Sequence, residues 1–155
     1  MSIQPIKYLT IDEVIVLLNA FLRNTRNVHS PVLLQNYEGK DFSLCQFELV
    51  SASQNNIFRG VSRGGQPVVI LAATSKPATV LTIGMALAQL HAFKGQTGSG
   101  EIPVLAESAL KGFYRLCDVQ EAKSGVKSVL KRVRKGGVGV VMVAFGVPIK
   151  VTYGY

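Results

Sequence analysis

The residues of this 155-residue chain best suited to chemistry are cationic. Lys123, Lys127 and Lys131 recur at every fourth position, Arg132, Arg134 and Lys135 lie among and after them, and no acid falls between Ala122 and Gly137. On a helix this spacing sets the three lysines on one face and Val126, Val129, Leu130 and Val133 on another. Like charges one turn apart repel by about 0.2–0.5 kcal/mol per pair. Such a stripe is either solvated, where it also complements the helix C-terminal dipole, or it is held against phosphates. A second cationic point is the turn around Ser62, bracketed by Arg59 and Arg63. There Gly64-Gly65 lets a backbone come close, and Phe58 offers a ring to a base. The plain alternative is a glycine turn carrying two solvated arginines.

These eight residues form the predicted nucleic-acid-binding set, with RNA ahead of DNA. Contacts mainly to phosphate would make binding weakly sequence-specific. Overall charge agrees: seventeen Lys and Arg against nine Asp and Glu give +8, and the pI is about 9.7. That field favours polyanions, an acidic membrane surface included. A self-associating structural protein of viral or phage matrix type is the second hypothesis, motivated by high apolar content and fifteen glycines. An enzyme with a dispersed site is the third.

Enzyme chemistry is thin. His29 and His91 have no metal-like spacing to other ligands, Asp12, Asp41, Glu48, Glu101 and Glu107 are scattered, and no G-x-S-x-G elbow occurs. The glycine-rich run Gly95 to Gly100 follows a helical pattern and holds no Lys, which suits a linker between helices better than a phosphate loop. No catalytic residue, metal or cofactor is predicted.

Positioning elements follow from periodicity. An apolar fraction of 48% supports one domain over residues 1–155. Thr10 and Glu13 read as a capping box opening a helix with Ile11, Val14, Ile15 and Leu18 on one face. Strands are expected at Pro31 to Tyr37, Phe42 to Val50, Ile57 to Val61 and Pro67 to Ala73, the last two pairing across the Ser62 turn. A helix entered through Ser75 and Pro77 should run to Lys94 and stop at Gly95. Its apolar part, Ala78 to Phe93, is too short to span a bilayer. Further helices are expected from Pro103 to Cys117 and, from an Asp118/Glu121 capping box, through the basic stripe. Val138 to Val147 reads as a buried central strand, with Pro148 ending it or marking a bulge.

The fold expected is therefore α+β: an antiparallel sheet of four to five strands with the N-terminal helix and two to three later helices mainly on one face. A doubly wound α/β sheet is the runner-up. No internal repeat is evident by eye. Two separated cysteines and the lack of a leader pattern point to a reducing, cytoplasmic setting, or a virion if the chain is viral. Ser124 to Pro148 resembles in outline the kink-turn-binding ribosomal proteins: Gly125, Lys131, Gly136 and Val140 to Ala144 fit the shape. Val126-Lys127-Ser128 stands where that family has Asn-Glu, so no residue role is carried over.

Overall fold

The computed structural model describes residues 8–25, 28–35, 42–50, 56–58, 61, 66–73, 81–107, 113–121 and 140–153. In chain order they form β1 (Leu9–Thr10), α1 (Ile11–Thr25), β2 (Val32–Gln35), β3 (Phe42–Val50), β4 (Asn56–Phe58), β5 (Val68–Ala73), α2 (Ile83–Thr97), β6 (Pro103–Glu107), β7 (Phe113–Glu121) and β8 (Val140–Tyr153).

The α+β expectation is overturned. Among the described residues two helices accompany a predominantly β structure, a mixed sheet that curls on itself. Six strands pair in a circuit. β2 lies antiparallel to β3, β3 to β5, β6 to β7 and β7 to β8, while β5–β6 and β2–β8 are parallel. Parallel neighbours need a long crossover, and α2 supplies it between β5 and β6. β1 pairs with β6, and β4 pairs with the end of β8.

Pleat alternation divides the core. Val32, Leu34, Cys45, Phe47, Val69, Leu71, Val104, Ala106, Cys117, Met142 and Ala144 share one cluster with the buried stripes of both helices. Val68, Ile70, Ala72 and Leu105 face the other way and meet Ile149. Ile11, Val14, Ile15 and Leu18 are buried at the helical period. Thr10 Oγ1 accepts from the Glu13 amide at 3.2 Å while the Thr10 amide donates to Glu13 Oε1 at 3.3 Å, so the capping box is present.

Other expectations change. The described residues of Pro103 to Cys117 are not helical: they form β6 and the first five residues of β7, so Asp118 sits within a strand rather than capping a helix. Their apolar positions suit either period, and pairing with β5 decides between them. β4 pairs with β8, not with β5 across the Ser62 turn. α2 opens at Thr82, whose side chain accepts from the Met85 amide at 3.2 Å. It runs past Gly95 to a left-handed Gly98 (φ 74°), so the glycine run is the last turn of a helix and its exit to a strand. The Val138 strand holds from Val140, inserted between β2 and β7. It continues through Pro148, with the ladder register shifting between Tyr114 and Leu116.

An internal duplication is also present. Thr10-Ile11, Leu18, Ala20-Phe21, Thr25, Pro31-Val32-Leu33 and Leu44-Cys45 recur 72 residues later as Thr82-Ile83, Leu90, Ala92-Phe93, Thr97, Pro103-Val104-Leu105 and Leu116-Cys117. Hydrogen bonds repeat with them. The Ile11 amide donates to Ile102 O at 3.0 Å and the Ile83 amide to Ser30 O at 2.9 Å. The Asp12 amide donates to Gly100 O and the Gly84 amide to Val28 O, both at 3.0 Å. Thr10 pairs with Pro103 as Thr82 bridges Pro31. Cys45 Sγ donates to Val32 O and Cys117 Sγ to Val104 O, both at 3.4 Å. Each half is thus helix–strand–strand–strand, α1-β2-β3-β5 then α2-β6-β7-β8. Exchanging the halves maps β2–β8 onto β6–β5 with every strand direction kept. The halves are therefore related by about half a turn around the axis of the circuit.

At the two equivalent helix starts one partner of each contact is glycine: Asp12 meets Gly100, and Gly84 meets Val28. A Cβ on Gly100 would run into the Asp12 carboxyl, whereas one on Gly84 would reach ordinary contact with Val28 at 3.4 Å. We expect Gly100→Val to destabilise the fold by about 1–3 kcal/mol through overpacking. Combining it with Asp12→Gly, which copies the other half's arrangement, should show a favourable coupling of about 1 kcal/mol in a denaturation double-mutant cycle. Additive losses would contradict the equivalence of the two contacts.

Candidate nucleic-acid interface

All eight predicted contact residues (Arg59, Arg63, Lys123, Lys127, Lys131, Arg132, Arg134 and Lys135) lie outside the described residues, as does the basic helix assigned to six of them. The strands flanking them are described. Arg59 and Arg63 fall between the end of β3 at Val50 and the start of β5 at Val68. The other six fall between the end of β7 at Glu121 and the start of β8 at Val140.

These two intervals occupy the same place in the two halves, and their sequences correspond. Arg59, Val61, Arg63 and Gly64-Gly65 match Lys131, Val133, Lys135 and Gly136-Gly137, again 72 residues on. Strand pairing sets the starts of β5 and β8 at one end of the circuit, whereas β4, which ends one residue before Arg59, pairs with the other end of β8, Phe58 lying opposite Val151. β8 begins beside β2, with Val140 opposite Val32, and β5 runs beside β6, with Val69 opposite Val104. Because β2, β5, β6 and β8 all point the same way, β5 and β8 both start at the end where β2 and β6 start.

Charge is segregated in the same pattern. The intervals 51–67 and 122–139 contain eight of the seventeen basic residues and none of the nine acidic ones. The nine basic residues elsewhere balance the nine acids, so the entire net charge of +8 belongs to these two connections.

The helices lie over this end as well. The first turn of α1 bonds to residues 100–102, which lead into β6, and that of α2 bonds to residues 28–30, which lead into β2. α1 and α2 also pack on each other. Asp12 and Glu13 are exposed in the first turn of α1. Lys94 Nζ meets Asp12 Oδ1 at 2.7 Å, and Glu13 is engaged by Thr10. As a half-exposed pair the Lys94–Asp12 bridge adds little stability.

Among the described residues no group of three or more His, Cys, Asp or Glu is placed to hold a metal ion. Cys45 and Cys117 are buried free thiols. Burial pushes each up to about 12, with Asp118 adding to the rise at Cys117, so they are packing groups and not nucleophiles at neutral pH. No described helix is long and apolar enough to cross a membrane.

A scan against family models and searches of curated proteins and of solved structures return no match for this chain. The internal correspondence escaped a reading by periodicity alone, yet aligning the chain with itself at a 72-residue offset reveals it.

Both thiols should resist alkylation at pH 8 in the native protein and react only after denaturation, as read by intact-mass spectrometry. Their linkage has a definite sign. An unfolded thiol titrates near 9.0, a folded one at about 12. Above pH 9 the unfolded state therefore binds fewer protons, and the contribution present below pH 9 is lost progressively towards pH 12. Denaturant midpoints should fall over that window, and less steeply in Cys45→Ala/Cys117→Ala.

Proposed function

We propose that this protein binds nucleic acid, mainly through phosphate contacts, using the two basic connections that lead into β5 and β8. The single observation that carries this reading is the confinement of the whole net charge to two intervals, 51–67 and 122–139, whose sequences correspond at a 72-residue offset. A basic composition serving solubility alone would have no reason to concentrate there. Phosphate backbones reward such clustering, because each neutralised phosphate releases condensed counterions. Lys123, Lys127, Lys131, Arg132, Arg134 and Lys135 supply most of the cations, and Arg59 and Arg63 supply the matching pair. RNA is the preferred polymer in this proposal.

Lys127→Glu/Lys131→Glu should abolish a gel-mobility shift with a mixed-sequence RNA at about 0.1 M salt while leaving the melting temperature unchanged. For the parent protein, log K against log salt should fall with a slope of about −0.7 to −0.9 per phosphate contacted. Wild-type-like binding by the reversed variant would remove the proposal.

A further inference from the structure

We infer that a second copy of this chain docks on the helix layer, α1 of each copy lying along α2 of the other about a twofold axis. This interaction is independent of the nucleic-acid reading. Among the described residues Val16, on α1, is the most exposed large hydrophobic, at 62%. Helical spacing sets it on one outward face with Asp12 and Arg23, which are also exposed. The same three positions on α2, 72 residues on, are Ala88, Gly84 and Gly95. Where one helix projects bulk, the other is therefore small and uncharged. Packing within the chain does not ask for that smallness at Gly95: a Cβ there would meet nothing within 4 Å. Glycine inside a helix is unfavourable relative to alanine, and close approach from outside the chain would account for it.

Charge and direction decide how two copies meet. Within one copy the helices run antiparallel. Lys94, in the last turn of α2, bridges Asp12 in the first turn of α1 at 2.7 Å, and the Gly84 amide at the start of α2 donates to Val28 O beyond the end of α1. A dyad parallel to both helices then lays α1 antiparallel on the second copy's α2. The acidic first turn of α1, with Asp12 and Glu13 exposed, comes level with the second copy's Lys94. At that level Val16 falls against the exposed Ala92 of the second copy. Opposite helix dipoles also align favourably. Two 15-residue helices, each about 22 Å long and about 10 Å apart, cover about 450 Å² per copy. A standard interface covers about 800 Å² per partner, so this dimer is weak and reversible.

Sedimentation velocity on nuclease-treated protein, from about 10 to about 500 µM, tests the inference by mass action. The parent should pass from monomer towards dimer across that range. Val16→Lys and Ala92→Glu should each weaken dimerisation at least about tenfold, because each buries a charge without a partner. An equal mixture of the two variants should recover to within about threefold of the parent, because the new lysine on one copy then meets the new glutamate on the other. Both sites are exposed, so melting temperatures should match the parent's. A parent that stays monomeric throughout, a dimer indifferent to either substitution, or a mixture no better than its components overturns the inference.

Discussion

Closure of the strand circuit by two parallel pairings is the constraint on which the rest of this structure depends. Each half supplies three strands in antiparallel order, β2-β3-β5 or β6-β7-β8, and would expose two edges with unpaired amides and carbonyls. The other half covers them: β6 lies along β5, and β8 lies along β2. Neither half completes its ladders alone, so the two copies are bound into one sheet. The helices follow from the same requirement. Their first turns bond to the segments entering β2 and β6, and their apolar stripes join the cluster shared by all six strands.

Complementarity within the duplication shows how close that packing is. At the start of α1 a side chain on Gly100 would overlap the Asp12 carboxyl, whereas at the start of α2 one on Gly84 would make ordinary contact with Val28. One copy places the side chain on the helix at Asp12, the other on the loop at Val28. The equivalent cysteines show a different economy. Both are buried, and each gives its weak donor to a carbonyl in the first strand of its own half, so the thiols fill volume without leaving a polar group unpaired.

The same duplication gives the charge distribution its meaning. Cations in the connection before β5 recur, in larger number, in the connection before β8, while the rest of the chain is electrically balanced. The cations thus belong to two stretches that correspond in sequence, one before β5 and one before β8.

Local rules read from the sequence were sound where a signal was self-contained. The Thr10–Glu13 box and the 3.6-residue apolar stripe settled α1, and the density of β-formers from Phe42 to Val50 settled β3 with the bounds observed. They failed between Pro103 and Cys117, where short apolar runs suit either period and the parallel partner β5 imposed the extended state. Strand partners were likewise beyond local reading. β4 paired with β8 across almost a hundred residues because pairing depends on which edge the rest of the fold leaves open. By itself, the sequence determined the charge, where the cations concentrate and the first helix, since these depend on composition and near neighbours. Only tertiary structure decided the sheet's mixed topology, the relation between the halves and the common end at which β5 and β8 start, because hydrogen bonds between distant strands fix all three.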